Sequence, residues 1–127
     1  MQKPEKPEVK TLEKAFADLP SNCKMLIPTP KLIADYIRQI PQGHTTDVKQ
    51  MRKDLASEQN AEHTCPLTTG IFLRIVTEHA NEVRKSGVPV KELTPVWRVV
   101  HDKLPLFKKL SFDAGWLIAM REKEGIR

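Results

Sequence analysis

Two cysteines and four histidines are the side chains of this 127-residue chain best suited to nucleophilic or metal chemistry. His63 and Cys65 lie two residues apart, and Pro66 marks a helix start just after the cysteine. A thiol beside a helix N-terminus has a lowered pKa and a raised reactivity. Nucleophilic catalysis also needs a base at hydrogen-bond distance, and i, i+2 spacing in a loop does not supply that geometry. Cys23, His44, His63 and Cys65 show neither CxxC nor HxxxH spacing, so they form no zinc site by pattern. No catalytic residue, metal or cofactor is expected, and the chain reads as non-enzymatic.

The chemistry that remains is binding. Thr68, Thr69 and Gly70 fall in the first turn of the helix that Pro66 opens. Unpaired amides and the positive dipole end attract phosphate there, although the same residue types also serve as plain caps and spacers. Arg74 shares the exposed face with Glu78, Asn81, Glu82 and Lys85, and each acid opposes the approach of a phosphate. Lys49, Arg52 and Lys53 on the preceding helix make a better basic patch, suited to phosphate contact or to plain solvation. Trp97 and Arg98, beside Val96, combine an indole with a guanidinium, the pair that holds an unstacked base by stacking and cation–π contact. The competing role for the tryptophan is core packing. A formal net charge of +5 agrees with a polyanionic partner and equally with many proteins that have none.

The elements that must position these residues follow from periodicity and punctuation. Residues 1–10 alternate Lys, Pro and Glu and offer little to bury, which predicts a flexible N-terminal tail; residues 11–127 read as one domain. Thr11 to Leu19 suggests a short helix, ended by Pro20, and Cys23 to Ile27 an extended segment at a sheet edge. Thr29 and Pro30 cap and open a helix whose stripe is Leu32, Ile33, Tyr36, Ile37 and Ile40. A second helix is expected from about Thr46 to Ser57, capped by Thr45, Thr46 or Asp47, with Val48, Met51 and Leu55 inward. A third runs from Pro66 to about Lys85 with Ile71, Phe72, Ile75, Val76, His79 and Val83 buried, ended by Gly87. Thr94 to Val100 is β-branched and aromatic and reads as a strand. A last helix is expected over about Ser111 to Glu124 with Phe112, Trp116, Leu117 and Met120 inward. No apolar run approaches the roughly 20 residues a membrane span needs, no secretory leader is visible, and two widely spaced cysteines fit a reducing compartment. A cytoplasmic location without a membrane partner is the expectation.

The order of these segments resembles a known family. Ile40-Pro41-Gln42-Gly43, followed by His44-Thr45-Thr46, resembles the Ile-Pro-x-Gly-Lys-Val-x-Thr turn of O6-alkylguanine-DNA alkyltransferases and alkyltransferase-like proteins. Pro95-Val96-Trp97-Arg98-Val99-Val100 resembles their Pro-Cys-His-Arg-Val-Val strand, and Leu117 to Gly125 their terminal helix ending in Glu-Gly. Cys65 to Phe72, with Thr94 to Arg98, is similar to a little-characterised bacterial branch filed with that family. The resemblance covers about residues 28–127. It places the alkyl-accepting cysteine at Val96 and its activating histidine at Trp97. Valine has no acceptor atom, so alkyl transfer through this position is excluded. The family's tyrosine falls near Asp47 or Val48, and its intercalating arginine near Thr69.

The combined expectation is a mainly α, winged-helix-like helix-turn-helix domain with a small β element. It would bind duplex DNA, damaged or distorted, in a DNA repair setting, through Thr45, Thr46, Lys49, Arg52, Lys53, Thr68, Thr69, Gly70 and Arg74, with a pocket at Val96, Trp97 and Arg98. The mixed charge of the third helix favours an alternative, a protein-interaction module on the same fold without DNA.

Overall fold

A computed structural model describes residues 6–126. Among them are four α-helices and a small three-stranded sheet, so the chain is mainly helical with a minor β element. No helix among the described residues is long and apolar enough to cross a membrane.

Strand β1 (Glu8–Thr11) pairs antiparallel with β2 (Lys24–Ile27), and β2 pairs parallel with β3 (His63–Thr64). Two expectations change here. Residues 8–10 of the anticipated tail belong to β1, and residues 1–5 lie outside the described residues. The Cys23–Ile27 segment is extended as anticipated, but β2 is the central strand and not an edge. Thr11–Leu19 is not helical. Leu12 donates to the Cys23 carbonyl, and Phe16 and Leu19 exchange amide bonds across a tight turn with Ala17 at φ 53°. A helix this short is unstable without a face to bury, and this stretch buries only Leu19, leaving Phe16 39% exposed.

Helix α1 (Pro30–Arg38) begins as its punctuation predicts: the Thr29 hydroxyl accepts from the Leu32 amide, and Pro30 needs no donor. Ile33, Ile37 and Ile40 are buried. Helix α2 (Val48–Glu58) takes Asp47 as its cap, accepting from the Gln50 amide, and buries Met51, Leu55 and Ala56.

Helix α3 (Pro66–Lys85) has the expected length but a different rotation. Its buried residues are Thr69, Phe72, Leu73, Val76, Thr77, Ala80 and Asn81. Ile71 and His79, assigned to the core by periodicity, are exposed, while Ile75 and Val83 are half-buried. Threonine can occupy a helix core if its hydroxyl bonds one turn back. Thr69 donates to the Cys65 carbonyl and Thr77 to the Leu73 carbonyl. Asn81 is satisfied by the Trp116 indole N–H at 3.1 Å.

Thr94–Val100 is not a strand. Val96–Arg98 forms a 3-10 turn, with Arg98 donating to Pro95 and both Val99 and Val100 to Val96. A short apolar run is ambiguous by periodicity alone. Here Val96, Trp97, Val99 and Val100 are enclosed on all sides, each at most 2% exposed, and their amides bond locally without a ladder partner. Two further 3-10 turns span Val90–Glu92 and Pro105–Lys109. Helix α4 (Gly115–Lys123) starts four residues later than anticipated. It buries Leu117 and Arg121, with Phe112, Trp116 and Met120 half-buried.

Candidate functional site

Glu124, just past the end of α4, carries a carboxylate with four hydrogen bonds. Its Oε1 accepts from Arg98 Nε at 2.9 Å and from the Gly43 amide at 3.0 Å. Its Oε2 accepts from Arg98 Nη2 at 3.0 Å and from the Trp97 indole at 2.8 Å. Arg98 also donates from Nη1 to the Ile40 carbonyl at 2.8 Å. The Arg98 carbonyl in turn accepts from the Thr45 hydroxyl and the Thr46 amide. Buried Arg121 donates to the Trp97 carbonyl at 2.7 Å. Segments 40–46, 96–98 and 121–124 are thereby tied into one polar knot, with Gly43 at φ 82°, a conformation glycine adopts without strain.

The carboxylate is 5% exposed and the guanidinium 14%. Burial pushes the Glu124 carboxyl up. Hydrogen bonds from Arg98, the Gly43 amide and Trp97, with the Arg98 charge, outweigh burial and hold it at about 2 against an ordinary 4.5. A folded-state value below the unfolded one gives stability that is complete above the unfolded value and is lost as pH falls through the folded one. A depression of this size corresponds to about 3 kcal/mol. Denaturation midpoints measured from neutral pH down to about pH 2 should therefore fall most steeply below about pH 4.5, and Glu124→Gln should flatten that fall.

The residues assigned to DNA contact divide into accessible and committed groups. Lys49, Lys53 and Arg74 are exposed. Arg52 is not available: it is 14% exposed, donates from Nε to the Thr64 carbonyl, and forms a two-bond pair with Asp18. That hydrogen-bonded pair holds the Asp18 carboxyl below its ordinary value. Thr69 is 0% exposed and cannot touch a ligand. Thr68 Oγ1 is buried without a partner, and Gly70 is partly exposed. Neither threonine caps α3, whose N-cap is Cys65. Thr45 is exposed but spends its hydroxyl on Arg98. Thr46 lines a polar cleft with Tyr36, His44, Asp54 and Glu58. There Tyr36 donates to Asp54 at 2.5 Å, and burial, reinforced by that carboxylate, pushes the phenol well up.

The anticipated pocket is only partly present. Val96 is fully buried and Trp97 is 2% exposed, packed edge-on to Trp116 with centroids 6.1 Å apart. Trp97 is therefore core. Its edge and Arg98 border a cleft of about 500 Å³ with Arg38, Lys91, Met120 and Lys123, and the Arg98 guanidinium sits 5.7 Å from the indole centroid. Cys23 and Cys65 are both free and buried, in a small cluster with Leu19 and Met25 under the sheet.

The larger cavity, about 790 Å³, is a groove that periodicity missed. It runs along α3, lined by Leu67, Gly70, Ile71, Ile75 and the charged Arg74, Glu78 and Glu82 of that helix together with Val48, Leu104, Leu106 and Lys109. The exposure of Ile71 is the consequence of the rotated helix. The one sequence signal for the facing wall is the basic pair Lys108-Lys109 after Pro105.

No family model matches the chain, and no curated protein or solved structure is significantly similar to it.

Proposed function

We propose that this protein binds duplex DNA without catalysing a reaction on it, as a winged-helix-like domain of the alkyltransferase-like kind in which α2 and α3 are the helix-turn-helix pair. One observation carries the reading. The three segments that resemble the alkyltransferase family, 40–46, 95–100 and 117–125, are remote in sequence and meet at Glu124. Packing of that kind is what a shared framework requires. The resemblance aligns Val96, which is fully buried and has no acceptor atom, with the family's reactive sulfur, so the role this reading leaves is recognition of damaged or distorted duplex. Exposed Lys49, Lys53 and Arg74 would supply phosphate contacts, with Thr68 and Gly70 at the α3 tip. A cytoplasmic setting belongs to this reading and suits two unpaired cysteines.

Fluorescence anisotropy with a labelled duplex tests it. Neutralising about three phosphates predicts that affinity falls some 50-fold between 50 and 200 mM salt, and Lys49→Glu/Lys53→Glu should weaken binding and shallow that slope. A chain that binds no duplex even at low salt would instead be the protein-interaction module, which the apolar groove along α3 favours.

A further inference from the structure

Strand β1 is an outer strand of the sheet, and all of its residues are exposed. Its register with β2 fixes which backbone groups face outward. Leu12, just past β1, donates to the Cys23 carbonyl and continues the register in which Lys10 faces Met25 and Glu8 faces Ile27. Bonded and non-bonded positions alternate along an antiparallel ladder, so Glu8 and Lys10 bond to β2. The far side of β2 agrees. The Lys24 and Leu26 carbonyls, opposite Thr11 and Val9, accept from the Glu62 and Cys65 amides on the β3 side. The amides and carbonyls of Val9 and Thr11 therefore point away from the sheet. Val9 is also 46% exposed, a β-branched side chain at an open edge.

This edge carries charges in a definite pattern. Glu8 and Lys10 flank Val9, share one face of the strand and lie 3.9 Å apart, with side chains 64% and 60% exposed. Charged side chains on a short edge normally discourage pairing. Here they favour one two-fold register over its neighbours. A second β1 centred on Lys10 sets lysine against lysine, and one centred on Glu8 sets glutamate against glutamate. A centre on Thr11 forms neither charge pair. Centred on Val9, each Glu8 meets the partner's Lys10 at a non-bonded position, where side chains approach closest. Opposite charges facing across strands stabilise the pair.

We propose that β1 is a self-association edge: two copies of the chain pair their β1 strands antiparallel about a two-fold axis at Val9, extending one sheet across both molecules. Val9 exchanges both backbone bonds with the partner's Val9, and Thr11 donates to the partner's Pro7 carbonyl. Pro7 has no amide to return, which limits the ladder to about four bonds. The charged pairs gather on one face, and the two valines meet on the other. So short a contact is smaller than stable interfaces require, and the dimer is weak, with a dissociation constant on the order of 100 µM.

Sedimentation equilibrium of the full chain from roughly 5 µM to 1 mM tests the pairing. The wild type should pass from monomer to dimer over that range and stop there, because a two-fold contact closes on itself. Glu8→Lys and Lys10→Glu should each remain monomeric, since each sets like charges opposite one another. Mixed in equal amounts, those two variants should associate about as tightly as the wild type, because a strand with two lysines then faces one with two glutamates. Val9→Pro removes the central donor, which does not serve β2. It should abolish association and leave the thermal midpoint at low concentration unchanged. The charge exchange reads the register even if the proline disturbs the hairpin. A wild type that stays monomeric at the highest concentration overturns the pairing. So does association that survives Val9→Pro and is indifferent to the charge exchange, which places the contact elsewhere.

Discussion

Glu124→Ala is expected to cost about 3–5 kcal/mol of folding stability, the range typical for removing one partner of a buried ion pair. The carboxylate satisfies four donors from two other segments of the chain. Its loss leaves a guanidinium only 14% exposed with a single carbonyl partner, and leaves the Gly43 amide and the Trp97 indole without acceptors. Urea denaturation of the two proteins measures the difference. The companion variant Glu124→Ala/Arg98→Met should lose less than the sum of its single changes, because an unpaired buried charge is worse than none. A cost below about 1 kcal/mol for Glu124→Ala would show that water replaces the carboxylate and that the knot does not hold the segments together.

Trp97→Ala should be nearly as damaging, about 3–5 kcal/mol by the usual penalty for deleting a large buried aromatic. The indole is 2% exposed, packs edge-on against Trp116, and bonds Glu124. Trp97→Phe separates these contributions. It keeps most of the ring packing and removes the indole N–H, so it should cost about 1.5–3 kcal/mol, the range for a hydrogen bond to a charged group. If phenylalanine proves as destabilising as alanine, the hydrogen bond outweighs the packing, and the assignment of Trp97 to the core must be revised.

Helix starts were legible because they are written in local chemistry. At Thr29-Pro30 and Asp47 a side chain accepts a first-turn amide, and at Cys65-Pro66 the proline opens the helix without needing a donor. What sequence could not show was burial on more than one side. The Thr94–Val100 run has strand composition, yet its valines are enclosed by three neighbouring segments, and the backbone curls into a 3-10 turn. The rotation of α3 was hidden for a related reason. Thr69 looks polar and is expected at the ligand-facing tip, whereas a hydroxyl that bonds its own helix, as those of Thr69 and Thr77 do, can replace an aliphatic residue inside. That rotation exposes Ile71 and creates the groove, so the same misreading concealed both. Arg52 and Thr69 left the candidate site because their partners, Asp18 and the Cys65 carbonyl, belong to structure that no spacing rule anticipates. Glu124 carried no signal of its own beyond standing before a glycine.

The knot also imposes an order of assembly. Gly43 and Glu124 are 81 positions apart and Ile40 and Arg98 are 58 apart, so closing it needs long loops that local helix formation does not prepay. Helices α1 and α2 contain their own side-chain caps and can appear early. A chain halted or clipped before residue 124 therefore carries finished helices around a cation that has nothing to neutralise it. Such fragments should be readily degraded, and completion of the fold becomes a checkpoint read by a single late carboxylate.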